Sequence, residues 1–343
     1  MLESIFNDKK SIFIAEIGLN HNGRFGEAHE MIARAAESGA DAVKFQTFVP
    51  ELMNSPYTRS LMERGDESFT DRAVIDFLAR FTLRGEDYVK LKERASACGV
   101  EFFSAAFDAP SVDLLERTGV RLYKIASSEV TNIPLLEKVA SCRKPVIMST
   151  GMSRAHEIGS AIEALAANGC PEICLLHCVS LYPMEPAEAN LLRIVSLREM
   201  FGLHTGLSDH SAGHETAAAA AILGARVFEK HFKLSDSHDC PDAAVSLSPA
   251  AFREMVLKVN EALLMPGSGE IGFSGREGET AAAARRSLFA ARDIAEGDII
   301  GREDLVALRP GKGMSASMFY SVAGKKALRD ISAGSLIKPD YFK

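Results

Sequence analysis

At 343 residues, 47% of them hydrophobic and 25% charged, the chain can build one large core with a small appendage, and its composition excludes a disordered polypeptide. A net charge of -7 excludes sequence-independent binding to a nucleic-acid backbone, which needs a basic face, but allows a small anion held by a few local Lys and Arg. No apolar run reaches the ~18 uncharged residues of a membrane span and no cleavable leader is recognisable, so no membrane partner is expected and the expected compartment is the cytoplasm.

Taken in chain order, short β-branched runs alternate with helical stretches. The strand candidates are 11–18, 41–47, 100–107, 121–127, 145–150, 172–178, 203–209 and 225–232. Between them lie amphipathic segments such as EAHEMIARAAESG and HEIGSAIEALAANG, several closed by a Gly stop signal. Eight strand–helix units in the first ~265 residues predict an α/β fold closed as a TIM (β/α)8 barrel, residues 1–265. One connection, 48–85, is long enough to suggest a functional loop. Six Cys fit a reducing environment. Cys170, Cys174 and Cys178 are suggestively spaced, but the last two fall at even spacing in an apolar run and read as buried free thiols.

After a last barrel helix at 249–264, a Gly-rich polar stretch without periodicity predicts a linker, 266–284. Residues 285–343 read as a small domain of short strands and tight turns. The matching phrases RDIAEGDII and RDISAGSLI mark an internal pseudo-repeat.

In a TIM barrel the chemistry sits at the C-terminal ends of the strands. Those ends are unusually polar here: Glu16, then Lys44 and Gln46, then Lys124, Ser127 and Glu129, then Ser149-Thr150-Gly151. They continue with His177, Ser180 and Tyr182, then Ser208-Asp209-His210, then Glu229 and His231. Lys44 and Gln46 share one face at period two, as do Glu229 and His231. Unpaired buried charge costs several kcal/mol, so this pattern points to function rather than packing. Two lysines on separate strands suggest an anionic ligand, and Ser149-Thr150-Gly151 is expected to open a helix whose free N–H groups would hold phosphate or carboxylate. His210 and His231, on adjacent strand ends, are candidate ligands for one transition-metal ion. A hydrogen-bonded core role is equally open to them at this level. His29, His156, His204, His214 and His238 read as structural or surface residues.

The ordered phrases AEIGLNHNG, AVKFQT, YKIASSE, STGM, GLSDHSAG and EKHF resemble the sialic acid synthase family, which includes N-acetylneuraminate, legionaminic and pseudaminic acid synthases. RPGKGMS and GKKALRDI resemble that family's C-terminal antifreeze-like (SAF, β-clip) domain, here 285–343. The resemblance implies condensation of phosphoenolpyruvate with N-acetylmannosamine or a related N-acylated amino sugar, with release of phosphate by C–O cleavage. It implies that Lys44, Lys124, Ser127, Ser149 and Ser208 hold phosphoenolpyruvate. His210 and His231 would hold an essential divalent ion, Mn²⁺ with Mg²⁺ or Co²⁺ as alternatives. Glu16, Gln46, Ser180, Tyr182 and Asp242 would contact the sugar, and Glu129 and Glu229 would lie near the reacting centre. Arg309 would reach the substrate across a domain-swapped homodimer.

Departures from the family pattern bear on the sugar. Ser180 stands where many relatives carry Asn, the loop after the second strand reads ERGDESFTDR without the Gly-Asn phrase, and His-Asp-Cys-Pro precedes Asp242. The rival readings are a synthase of eight- or seven-carbon acids from phosphorylated sugars (KDO-8-phosphate or DAHP type), a Schiff-base aldolase using Lys124, and a non-catalytic sugar-binding barrel.

Overall fold

A computed structural model describes residues 11–53, 71–273 and 275–343. Eight parallel strands close into a barrel in sequential order: β1 Ile12–Gly18, β2 Ala42–Thr47, β3 Glu101–Ala106, β4 Tyr123–Ile125, β5 Val146–Ser149, β6 Ile173–Cys178, β7 His204–Asp209 and β8 Val227–His231. Each lies within the run expected from its β-branched residues. β4 is the shortest, because the chain turns into a 3-10 helix at Ser127–Glu129.

The barrel helices are α1 Phe25–Glu37, α2 Gly85–Ala97, α3 Ala109–Thr118, α4 Ile133–Ser141, α5 Ala155–Ala167, α6 Leu192–Phe201, α7 Glu215–Ile222 and α8 Pro249–Ala262. α1 buries Ala28, Met31, Ile32 and Ala35, the i, i+3, i+4, i+7 stripe of a helix laid on a sheet. α3 begins where the Asp108 carboxylate accepts the Ser111 N–H at 2.7 Å and ends at Gly119, whose φ of +75° suits a left-handed cap. The other Asp108 oxygen accepts the Val49 N–H at 2.7 Å, tying the β2 exit to that helix. In the long connection, helices occupy Pro50–Met53 and Asp71–Ala79, whereas the ERGDESFT part of the divergent loop lies outside the described residues.

Period two divides each strand between two cores. Outward side chains such as Leu207 and Phe228 join the sheet–helix layer, and inward ones such as Ile12, Phe103 and Leu176 fill the barrel below the mouth. Gly206 faces inward, where a Cβ would lie 2.1 Å from the Val227 carbonyl oxygen and 2.7 Å from Leu176.

His21, in the turn after β1, is buried against Phe45, and its Nδ1 accepts the Gly23 N–H at 3.0 Å. Burial pushes its pKa down to about 4. Between pH 6.5 and 4 the unfolded chain therefore binds one more proton, so this contribution is complete above pH 6.5 and lost as pH falls, up to about 3 kcal/mol. Urea midpoints measured across that window should fall less steeply for His21→Gln than for the wild type. Equal slopes would remove His21 as the cause.

The chain divides into two compact units, Met1–Gly267 and Ser268–Lys343. The stretch read as a linker ends in a two-turn helix at Glu277–Ala284. In the second unit β9 Ser287–Ala290 pairs antiparallel with β10 Leu305–Leu308 over a small core that includes Leu288, Ile300 and Ile337. The two repeat phrases face each other. Ile294 and Ile331 exchange both backbone hydrogen bonds, while Asp293 accepts the Ala333 N–H and its counterpart Asp330 accepts the Glu296 N–H. This reciprocity is a local two-fold, and it accounts for the repeated Asp-Ile.

Candidate active site

A cavity of about 370 Å³ opens at the C-terminal ends of the strands. Its lining includes Glu16, Lys44, Gln46, Lys124, Ser127, Ser149, Ser180, Tyr182, Ser208, His210, Glu229 and His231. Strand register explains the convergence. Glu16 pairs with Lys44 and with His231, and Ser208 pairs with Glu229, so the inward polar residues form one tier above the apolar filling.

Lys44 Nζ lies 2.8 Å from Glu16 Oε2 and 3.5 Å from Glu229 Oε1, and Lys124 Nζ lies 3.7 Å from the same Glu229 oxygen. Lys124 donates to Ser149 Oγ at 2.6 Å and to the Ile125 carbonyl at 3.1 Å. Ser208 donates to Glu229 Oε1 at 3.1 Å, and Gln46 to Glu16 Oε1 at 2.9 Å. Glu229 Oε2 is buried and, among the described residues, has no hydrogen-bond partner.

These partners divide the pKa shifts. Burial opposes the charge on Lys44, but Glu16 and Glu229 outweigh it and raise its pKa. On Lys124 burial prevails over Glu229, helped by Lys44, and its pKa falls below the usual lysine range. Burial works against the Glu229 carboxylate too, yet Lys124 and Lys44 hold its pKa below the ordinary value. Two cations and two carboxylates thus share one buried tier, ready to exchange internal ion pairs for an anionic ligand.

The imidazoles lie on the same two strands as Ser208 and Glu229, with His231 in register beside Glu16. The His210 and His231 ring centroids are 5.5 Å apart, and Tyr182 stacks on His210 at 4.1 Å with its hydroxyl 3.0 Å from Nε2. His210 Nδ1 lies 2.9 Å from the Val179 carbonyl, and His231 Nδ1 lies 3.3 Å from Asp242 Oδ2. With its Nδ1 on the Val179 carbonyl, His210 presents Nε2 as a lone pair, whereas His231 Nδ1 faces the Asp242 carboxylate without a hydrogen bond among the described residues. Asp242, outside the cavity lining, is held below the usual carboxylate range: burial opposes this, but His231 prevails.

Several placements differ from the sequence reading. Helix α5 begins only at Ala155, so Ser149-Thr150-Gly151 is a turn before the helix rather than its N-terminus. The Gly151 N–H donates to Ser127 Oγ at 3.0 Å, and a Cβ there would lie 2.4 Å from Ser180 Oγ and 2.8 Å from Ser127 Oγ. His177 points to the helix side, where its Nε2 meets the Ala189 carbonyl at 2.7 Å. The β6 side chain in the cavity is Cys178, a position read only as core. The Glu129 carboxylate does not line the cavity and accepts from Ser128 and Asn132 at 3.0 and 2.7 Å. Arg309 belongs to the second unit. Phe107 and Met152 also line the cavity, and neither carried a signal in the sequence beyond its apolar type.

Comparison with known proteins places this geometry. Residues 31–271 match the NeuB family and residues 285–343 the SAF domain. The chain is 38% identical over 331 residues to N,N'-diacetyllegionaminic acid synthase of Legionella pneumophila, covering 94% of this chain and 92% of that one. It is 33% identical over 327 residues to pseudaminic acid synthase of Helicobacter pylori, covering 95% and 96%. A crystal structure of N-acetylneuraminic acid synthetase from Leptospira borgpetersenii, in complex with citrate, superposes with a TM-score of 0.70 at 32% identity, covering 80% of this chain and 90% of that one. The chain belongs to the NeuB family of sugar-acid synthases: it is an enzyme, with a SAF domain following its barrel.

Proposed function

We propose that the protein condenses phosphoenolpyruvate with an N-acylated amino sugar to form a nine-carbon sialic acid-type sugar acid, releasing phosphate. The observation that carries this reading is the buried tier of Lys44, Lys124, Glu16 and Glu229 lining one cavity together with two imidazoles. Lys44 and Lys124 neutralise the phosphate and carboxylate, and the hydroxyls of Ser127, Ser149 and Ser208 complete the anion's hydrogen bonds. Gln46, Glu16 and Tyr182 orient the sugar.

In the reaction, C3 of phosphoenolpyruvate bonds to the aldehyde carbon of the open-chain sugar, and water adds at C2. Phosphate then departs with cleavage of its C–O bond, leaving the 2-keto acid. Glu229 is the better placed of the two acidic candidates to take the water's proton, since it lines the cavity and its Oε2 has no hydrogen-bond partner among the described residues. Once an anion occupies the two lysines, the carboxylate loses the partners that held its pKa down and becomes a stronger base.

The donor set fits a divalent transition-metal ion, which the imidazoles of His210 and His231 would hold. Among the described residues no group of three or more His, Cys, Asp or Glu forms a closed site. Two imidazoles leave open coordination positions, as a catalytic ion requires. When bound, such an ion supplies Lewis-acid polarisation of the aldehyde oxygen. If His210 held the ion through Nε2, the Tyr182 hydroxyl, now 3.0 Å from that atom, would have to give up this contact. Similarity to the legionaminic and pseudaminic acid synthases favours a di-N-acylated 6-deoxy sugar as acceptor.

The test is phosphate release from phosphoenolpyruvate with Mn²⁺ and a panel of acceptors: N-acetylmannosamine, its 6-phosphate and di-N-acylated 6-deoxy sugars. Release with one acceptor, abolished by chelator and by His231→Ala, is expected. Release unaffected by either removes the metal assignment, and no release with any acceptor removes the proposed reaction.

One observation favours a second reading. A buried lysine with lowered pKa, as Lys124 is, suits Schiff-base formation. Borohydride trapping with pyruvate separates the two: the synthase gives no adduct on Lys124, and an aldolase gives one.

A further inference from the structure

We propose that the buried pair Asp209–Lys230, behind the cavity wall, is a positioning device that sets the two imidazoles for a divalent ion; this rests on the metal reading above. Asp209 and Lys230 are register partners on β7 and β8, each flanked in sequence by cavity residues: Ser208 and His210 on one strand, Glu229 and His231 on the other. Both side chains point away from the cavity and are fully buried, at 2% and 1% exposure.

The pair clamps one residue. Lys230 Nζ donates to Asp209 Oδ2 at 3.1 Å, to the Ser211 carbonyl at 2.5 Å and to Ser211 Oγ at 3.3 Å. Asp209 in turn accepts the Ser211 N–H at 2.8 Å and the Ser211 hydroxyl at 3.0 Å. Ser211 follows His210 directly, so both backbone polar groups of the residue after the imidazole are fixed by charge. The His210 carbonyl is fixed as well, accepting the Met184 N–H at 2.9 Å from the loop that carries Tyr182.

Stability alone does not call for this arrangement. One pleat earlier, the same outward face is apolar, with Leu207 registered against Phe228. Replacing a buried ion pair by packed apolar groups is often neutral or stabilising. What an apolar pair cannot do is hold the Ser211 backbone in one orientation. A ligand imidazole depends on such outer contacts, whose loss typically costs 10–100-fold in metal affinity.

The experiment measures Mn²⁺ binding directly, by electron paramagnetic resonance of the free ion, alongside thermal unfolding without metal and the KM for phosphoenolpyruvate. The double variant D209N/K230M removes both charges and keeps side-chain size. It is expected to unfold within a few degrees of the wild type and to keep its KM, while its Mn²⁺ affinity falls at least 10-fold. Wild-type Mn²⁺ affinity in the folded double variant overturns the inference. Should that variant not fold, Ser211→Ala provides the second reading, since it removes only the hydroxyl part of the clamp. A several-fold loss of Mn²⁺ affinity is then expected, and no loss overturns the inference. If the wild-type protein itself binds no Mn²⁺, the metal reading fails and this one with it, an outcome distinct from equal binding by wild type and variant.

Discussion

Replacing Glu229 by Gln should slow phosphate release from phosphoenolpyruvate by about 10²- to 10⁴-fold, the range for loss of a positioned general base. The KM for phosphoenolpyruvate should stay unchanged or fall. The reason lies in the charge arrangement. The carboxylate sits 3.5 and 3.7 Å from the two lysine nitrogens, so its removal frees both for the anion. A residue that merely propped up the lysines would act the other way and raise KM. Gln keeps the side-chain size and can still accept from the Ser208 hydroxyl, so the barrel mouth is retained. Steady-state kinetics with saturating acceptor decide the matter. A kcat within 10-fold of wild type would dismiss Glu229 as the base and return attention to Glu129, whose carboxylate would then have to leave Ser128 and Asn132.

The second large effect is on stability. Gly206→Ala should destabilise the barrel by about 3 kcal/mol or more, read from the urea midpoint, because overpacking against backbone has little room to relax. The new methyl would meet the Val227 carbonyl oxygen at 2.1 Å and its carbon at 2.9 Å, and backbone of a register partner cannot swing aside as a side chain can. Relief requires β7 and β8 to part at the point where they carry Ser208 and Glu229 one step above. Activity should therefore fall even in the fraction that remains folded. A midpoint shift equivalent to less than about 1 kcal/mol would mean that the strands separate easily there.

The same two strands illustrate how much was legible. Period two alone placed Glu229 and His231 on one face, and the barrel confirms that both look into the mouth. The eight strand positions were readable because each is a short β-branched run between a stop signal and the next amphipathic helix. The pseudo-repeat was visible as a phrase, and its meaning followed from the structure: Asp293 and Asp330 serve each other's turns.

Other features had no local signature. In ICLLHC the conspicuous polar residue is His177, yet alternation from Cys174 and Leu176 puts Cys178 in the cavity and His177 among the helices. The phrase Ser149-Thr150-Gly151 looked like a helix start, but the helix waits until Ala155, and Gly151 is required instead by the close approach of Ser127 and Ser180. Asp209 reads in the sequence as one strand-end charge among several, and nothing local marks Lys230. Their mutual pairing depends on β7 and β8 being neighbours in exact register.

The sequence by itself determined the strand and helix periods, the closed-barrel count, the small repeat domain and the residue types available at the strand ends. These are local or periodic properties, set by side-chain sterics and apolar spacing within a few residues of chain. Tertiary structure alone decided which of those polar groups share a cavity, which carboxylate is left with an unpaired oxygen, and which charges neutralise one another behind the wall. Such outcomes depend on distances between residues as far apart as Glu16 and Glu229, and on burial that shifts Lys44 and Lys124 in opposite directions. Electrostatic energy varies with separation and local dielectric, and neither quantity exists until the strands have closed into a barrel.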